Sequence, residues 1–384
     1  MGNKLRKTFF WIHKWLGLAT GIVVFLVSIS GCVYVFQDEL KLWFYPEKYF
    51  IEAENTHAAL QPLSRLILSA ESALGSEEKV SRVDLYPDPH RTWVFRASKT
   101  DEEAFGHWNY QVYNKRIFID PYSGKIQAIE NSKTEFFQVA LQLHMNLLLG
   151  KRIGQPIVAY STVVFMILLI SGLWLWWPKN WTKRSLKQGL KLDFKRKWKR
   201  INYDLHNVLG FYAFAIALVF CVTGLVFAFP KFKTAYVERL NKWGEGQVQN
   251  KEKDDVPIVP QTSTGSLDNA LVFAIENYPQ ADMMSIRLRD STAEFHDIQI
   301  RLAKNRTGKF KWYYFNQQGG QIAKIKSNEG LLLGDRLATL NYDLHTGAVG
   351  AWFTKVLAFF AALVSASLPI TGFLMWWNKN KKKV

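Results

Sequence analysis

The chain has few of the residues that most often reveal a mechanism. Only two cysteines occur in 384 residues, Cys32 and Cys221, and both fall inside apolar runs. A cysteine there serves as a small apolar residue, so neither a disulfide framework nor a thiolate metal site is expected. No Asp or Glu lies inside any of the four long apolar stretches, which leaves a carboxylate proton relay through a membrane without its groups. No glycine-rich dinucleotide fingerprint follows a strand pattern, so no bound NAD or flavin is expected, and a redox function needs an external donor.

The apolar residues that are present are bunched. Four stretches, at 15–36, 156–177, 205–229 and 356–377, are each long enough for a helix to cross a bilayer, which takes about 20 mostly apolar residues. Two polar segments separate them, at 38–143 and 231–341. The net charge of +17 is concentrated: Lys4, Arg6, Lys7 and Lys14 precede the first run, ten bases from Lys179 to Arg200 lie between the second and third, and Lys379, Lys381, Lys382 and Lys383 follow the fourth. Asp193 is the one acid among them, so these flanks account for the whole excess. By the positive-inside rule both ends and the basic linker are cytoplasmic, and the two polar segments face outward. Bases that flank spans serve topology and anionic headgroups, with Lys179 to Arg200 facing membrane lipid, and no nucleic-acid partner is expected.

The start of the chain also has the look of a lipoprotein signal, with a basic end, an apolar core and Ile29-Ser30-Gly31-Cys32. An internal copy argues for retention instead. HKWLGLATGIVVFLVSISG, from His13, aligns without gaps with HNVLGFYAFAIALVFCVTG, from His206 in mid-chain, where no signal can act. The copying extends further. LHMNLLLG from Leu143 leads to ISGLWLWWPK, and LHTGAVG from Leu344 leads to ITGFLMWWNK. IFIDPYSGKIQAIE (117–130) and YYFNQQGGQIAKIK (313–326) are both two alternating runs about a glycine turn, a hairpin signature. Each is preceded by a helix-like stretch, LSRLILSAESAL or LDNALVFAIENY, and a strand-like one, VSRVDLYP or MMSIRLRD. The expected fold is a membrane protein of four transmembrane α-helices in two parallel repeats, each carrying an outward α+β domain. The divisions are 1–37 (N-terminus and first span), 38–143 (first outward domain), 144–178 (second span), 179–204 (basic loop), 205–230 (third span), 231–341 (second outward domain) and 342–384 (fourth span and basic tail).

Four of the eight histidines occupy equivalent places at span mouths: His13 and His206 on the basic side, His144 and His345 on the other. The second and fourth of these close a repeated pentapeptide, NYDLH, at 202–206 and 341–345. Helix capping by Asn and Asp is the plain reading of Asn-Tyr-Asp, but it leaves histidine at all four mouths without a reason. Two imidazoles without Cys or carboxylate partners make a poor zinc site, whereas haem iron needs only two axial ligands and two helices can supply them. Symmetry pairs His13 with His206 and His144 with His345, although cross-pairing stays open. Ser30-Gly31, Ser171-Gly172, Thr223-Gly224 and Thr371-Gly372 place small residues in every span. They either make room for a macrocycle or let helices pack closely. Tyr203 and Tyr342 are candidates to lie over such a group. His57, His90, His107 and His296 read as solvated or locally bonded, and Trp174, Trp176, Trp177, Trp376 and Trp377 as an interfacial belt. One difficulty is distance. A straight helix from His144 to Trp177 covers roughly 50 Å and places His144 and His345 at or above the outer interface, unless Gly150, Gly154, Pro156, Gly347 or Gly350 breaks it.

The His-x-x-Leu-Gly span starts, the LHTG start, the Asp-Pro-x-Ser-Gly-Lys hairpin and the Gly-Phe-Leu-Met-Trp-Trp exit together resemble the PepSY-associated transmembrane family of bacterial inner-membrane proteins, often iron-regulated. The resemblance covers essentially the full length. It implies outward PepSY-like domains and the activity of a di-haem reductase that releases iron from ferric siderophores, such as ferrioxamine, in the periplasm. It also implies two haem b groups ligated by His13, His206, His144 and His345, and the sequence pattern itself sets Gly31, Gly224, Tyr203 and Tyr342 beside them. The expected partners are a ferric siderophore and an electron donor, either quinol or a cytoplasmic reductase. A haem-free anchor that binds peptides or regulates a protease, and a haem or metal transport component, stand as alternatives.

Overall fold

The computed structural model describes residues 3–52, 58–178, 180–244, 259, 265–289, 293–303, 309–317, 320–327 and 331–380. His57, Lys179, Lys381, Lys382 and Lys383 lie outside the described residues. The first half runs α1 (Asn3–Val35), α2 (Gln37–Phe44), α3 (Pro46–Tyr49), α4 (Leu63–Ser72), β1 (Arg82–Leu85), β2 (Trp93–Thr100), α5 (His107–Tyr110), β3 (Gln111–Ile119), β4 (Ile126–Asn131), α6 (Phe136–Asn146) and α7 (Lys151–Trp176). The basic linker carries α8 (Lys183–Leu190). The second half runs α9 (Trp198–Asp204), one π-helical turn over Leu205–Leu209, α10 (Gly210–Ala228), α11 (Pro230–Gly244), α12 (Ser266–Asn277), β5 (Met283–Arg287), β6 (Phe295–Arg301), β7 (Phe310–Asn316), β8 (Ile322–Ser327), α13 (Leu333–Thr346) and α14 (Ala351–Asn380).

Four helical stretches, Lys4–Val35, Lys151–Trp176, Trp198–Ala228 and Ala348–Asn380, are long and apolar enough to cross a membrane. Their backbone polar groups are satisfied within each helix, the condition hydrocarbon imposes. Large apolar side chains on them, such as Ile22, Tyr160, Ile170 and Phe360, point away from the protein, as lipid-facing residues do and as water would penalise.

The polar segments do not form two separate domains, which corrects the division at 38–143 and 231–341. They build one eight-stranded antiparallel sheet in the order β4-β3-β2-β1-β5-β6-β7-β8. Each half would leave an edge strand with unpaired N–H and C=O groups, and β1 and β5 satisfy one another. The register sets Val83 against Ile286 and Asp84 against Ser285. Strand alternation then sends Val83, Leu85, Met284 and Ile286 into a core shared with Leu63 and Leu66 of α4 and Phe273 of α12. On the opposite face Asp84 is fully buried at the seam, where Ser285 Oγ donates to it at 2.9 Å and Arg82 Nε at 2.9 Å, and Arg96 also pairs with it. Burial pushes this carboxyl up, but Arg96, Arg82 and the Ser285 hydrogen bond outweigh burial and hold it below the usual carboxylate range. Asp268 of α12 also reaches the other half, accepting from Ser64 N at 3.0 Å and Ser64 Oγ at 2.7 Å.

The sheet is tied to the spans through the turn that follows α1. Leu42 of α2, Tyr45 between the two helices and Tyr49 of α3 pack on Val94 and Phe118 of β2 and β3. Lys41 is buried there, 3.7 Å from Glu135 and donating to Gln37 Oε1 at 3.2 Å. Burial, with Arg116 adding and Glu135 and Glu130 opposing, brings the Lys41 ammonium down to about 8. Glu135 in turn caps α6, its carboxylate accepting from Phe137 N and Gln138 N at 3.1 and 2.9 Å.

The second and fourth spans are not single helices from their histidines onward, so the divisions at 144 and 342 are also corrected. Helix α6 ends in two left-handed leucines, Leu147 and Leu148 (φ 54° and 60°), and α13 ends at Gly347 (φ 76°). An L residue there costs about 1–2 kcal/mol, and the turn is held by His107 N, which donates to Leu148 O, and by Gly106 N, which donates to the next residue's carbonyl, Leu149 O. The chain reverses direction sharply before α7, whose Gly154 lies directly against the Asn146 carbonyl, where a Cβ would overlap it. The histidine helices are therefore separate short helices lying beside the spans.

Candidate functional site: two histidine pairs in two cavities

Each candidate histidine is seated on a neighbouring span. His13 Nδ1 bonds Ser171 Oγ at 2.9 Å, and His206 Nδ1 bonds Thr371 Oγ1 at 2.9 Å and Leu368 O at 3.1 Å. His144 Nδ1 bonds Val27 O at 2.8 Å, and His345 Nδ1 bonds Thr223 Oγ1 at 2.8 Å. A carbonyl only accepts, so His144 and His206 carry their proton on Nδ1. At Ser171, Thr371 and Thr223 the hydroxyl donates its one proton to a carbonyl a turn earlier, Leu168, Ser367 and Val219 respectively, and so accepts from Nδ1. With the hydroxyl protons so assigned, all four neutral rings keep a bare Nε2 lone pair, the state in which imidazole ligates a metal.

A glycine completes each seat, the residue next in sequence after Ser171, Thr371 and Thr223, and Gly31, one turn beyond Val27, for His144. A Cβ on Gly31 would stand 3.2 Å from His144 Cε1, on Gly172 3.3 Å from His13 Cε1, on Gly372 3.4 Å from His206 Cε1, and on Gly224 3.6 Å from His345 Cε1. Three of the repeated Ser/Thr-Gly pairs thus seat an imidazole through hydroxyl and glycine together, and the fourth, Ser30-Gly31, through its glycine alone, a role the sequence signalled by equal offsets but did not specify. Ser171, Thr371 and Thr223 are the functional residues that sequence reasoning left without a task.

NYDLH is not a helix cap. One copy spans the end of α9 and the π-turn, and the other the last turns of α13. Asn202 Nδ2 donates to Thr371 O at 3.0 Å while His206 bonds the same residue's hydroxyl, and Asn341 Nδ2 donates to Thr223 O at 3.1 Å while His345 does likewise. In each copy Asn and His, four residues apart on one helix face, grip one Thr-Gly pair of a neighbouring span. Asp204 is buried and pairs with Arg200 at 3.0 Å.

The structure brings His13 to His206, with ring centres 6.3 Å apart and planes at 85°, and His144 to His345, at 5.9 Å and 71°. The first pair lies in a cavity of about 490 Å³ on the side of the basic linker, lined also by Lys14, Tyr203, Trp176 and Trp376. The second lies in a cavity of about 460 Å³ toward the sheet, lined also by Gly31, Gly224, Tyr34 and Tyr342. Val24 and Phe165 line both cavities. Because His144 is level with Val27 and Gly31 of α1, the two histidine levels are roughly 21–27 Å apart along that helix. This corrects the placement of His144 and His345 at the outer interface, and with it the 50 Å gap.

The remaining candidates stay outside both cavities. His90 is exposed, His296 is half-buried on β6, and His107 is buried with Nε2 on Lys133 O at 2.8 Å. The aromatic belt needs one correction: Trp176 stacks on Phe211 at 3.9 Å, donates to Gly189 O and, like Trp376, lines the basic-side cavity.

The donor set can be tested against a bound group. Among the described residues no three His, Cys, Asp or Glu side chains converge as metal ligands. Two imidazoles alone suit a metal that brings its own in-plane ligands, and ring centres on opposite sides of one metal, with bonds of about 2 Å, fall about 6 Å apart. Apolar walls, bare Nε2 atoms and this spacing fit haem in both cavities. Fold and site define an integral membrane protein with two half-buried histidine pairs at two levels beneath a shared sheet. The family model for the PepSY-associated TM region matches residues 10–379, and the chain belongs to that family. Comparison with curated proteins gave no match.

Proposed function

We propose that this protein is a di-haem b electron-transfer protein of the bacterial inner membrane that reduces a ferric siderophore, Fe(III) to Fe(II), on its outward side during iron uptake. The observation that carries this reading is the pair of cavities, each presenting two Nδ1-anchored imidazoles about 6 Å apart. Haem would be held by His13 with His206 and by His144 with His345, and when bound would supply a one-electron Fe(III)/Fe(II) couple suited to electron transfer rather than oxygen activation.

The chain's own residues supply the rest. Ser171, Thr371, Val27 and Thr223 anchor the four imidazoles at Nδ1, which leaves Nε2 as the ligating atom. Among the described residues Val24 and Phe165 line both cavities, which supports passage of electrons between the two levels. In this reading the two halves are parallel repeats, the basic flanks and both ends are cytoplasmic, and the sheet is periplasmic and PepSY-like, framing the substrate side. The donor is a quinol or a cytoplasmic reductase. Siderophores hold Fe(III) through hard oxygen ligands, and reduction loosens that grip so that iron can leave.

The test is haem per chain in detergent-purified protein, with reduced-minus-oxidised spectra before and after a ferric siderophore is added. Two haems with low-spin spectra, reoxidised by the chelate, are expected. A protein that stays colourless after expression with added haem overturns the proposal and leaves the membrane anchor as the better account.

A further inference from the structure

The two cavities share an imidazole geometry but differ in charge. The basic-side cavity includes Lys14 and Lys379 in its lining and no Asp or Glu. Lys14 Nζ lies 4.4 Å from the Trp15 ring centre and Lys379 Nζ 5.9 Å from that of Phe10, and neither enters an ion pair with a described carboxylate. The described lining of the sheet-side cavity holds no charged residue; Ser28, Gln155, Thr162 and Thr346 are among its polar groups. Two ammonium groups at the rim of an otherwise apolar pocket call for an occupant with an apolar body and a carboxylated edge.

We propose that Lys14 and Lys379 are counter-ions for the carboxylates of the group held by His13 and His206, and that the sheet-side site has no such counter-charge. The inference rests on the haem reading of the cavities and adds to it a difference between the sites. A nearby fixed cation disfavours the more positive, oxidised state of a metal centre, so the basic-side site has the higher reduction potential. At equilibrium a single electron resides on the basic side, and the sheet side is reduced only while the donor keeps supplying electrons.

The test uses the full-length protein in detergent and two readouts. In the haem-loaded protein, potentiometric titration is expected to show two waves. Only the higher one falls in K14Q/K379Q and is restored in K14R/K379R. Waves that stay put, or that move together, overturn the proposal. The second readout needs no bound iron: fluorescence titration with metal-free protoporphyrin and with its dimethyl ester. Wild type is expected to prefer the dicarboxylate at one site by at least about tenfold, with the preference lost in K14Q/K379Q and kept in K14R/K379R. Absence of binding, or a preference unchanged by K14Q/K379Q, overturns the counter-ion role. A chain that never takes up haem sinks the reductase reading, while the porphyrin preference still decides the lysines.

Discussion

The basic-side and sheet-side histidine pairs reach the same geometry by different routes. His13 and His206 ride on the spanning helices themselves, one in α1 and one in the π-turn between α9 and α10. His144 and His345 ride on α6 and α13, separate helices that end in left-handed turns and lay their imidazoles against α1 and α10. A group at the mouth of a span can be supplied by the span alone, whereas one set below the opposite mouth needs a second segment that doubles back. Both pairs rely on seats in distant spans, and the sheet-side pair depends in addition on the packing of two further helices.

That dependence can be broken at graded points. The largest effect is expected from His345→Ala, which should take haem content from two per chain to one while the protein stays in the membrane; unchanged content and spectrum would remove His345 from the ligand set. Gly154→Ala should destabilise the sheet-side arrangement by about 3 kcal/mol or more, because its Cβ would overlap the Asn146 carbonyl at the reversal. A melting temperature like wild type would show that the reversal can relax. Gly31→Ala, 3.2 Å from His144, should lower sheet-side haem occupancy, whereas Gly224→Ala at 3.6 Å should be tolerated, and equal behaviour would contradict the seat geometry.

Smaller effects sharpen the same contrast. Asn341→Ala and Asn202→Ala each remove one buried side-chain hydrogen bond, and should each cost about 1–2 kcal/mol in thermal unfolding. The smallest expected effect is a pH dependence confined to the sheet side. Folded Lys41 releases its proton near 8 while the unfolded side chain keeps its own until about 10.5, so the unfolded state binds more protons in that window. Stability should therefore rise as pH goes from about 8 to 10.5. Lys41→Met should flatten that rise; a variant with the same pH profile would assign it elsewhere.

Much of the layout could be read along the chain because it follows from local pattern. The four apolar runs are spans by length alone, and the hairpins at 117–130 and 313–326 are β3–β4 and β7–β8. The four histidines and four Ser/Thr-Gly pairs stood out by repeated spacing. Their connection did not: no local signal says that Thr371 receives His206, or that His144 lies beside Val27, because the partners are more than a hundred residues apart. Asn202 and Asn341 read as caps for the same reason, since their carbonyl partners belong to other helices.

The sequence by itself determined where helices span, which flanks are basic and which residue types can ligate, because hydropathy, charge and imidazole chemistry belong to single residues and their neighbours. Only the tertiary structure decided that β1 and β5 close one sheet, that α6 and α13 turn back to set their histidines level with Gly31 and Gly224, and that the imidazoles meet in pairs. Those outcomes depend on edge strands finding partners and on small residues admitting a ring from a distant helix, and such complementarity exists only once the segments are packed together.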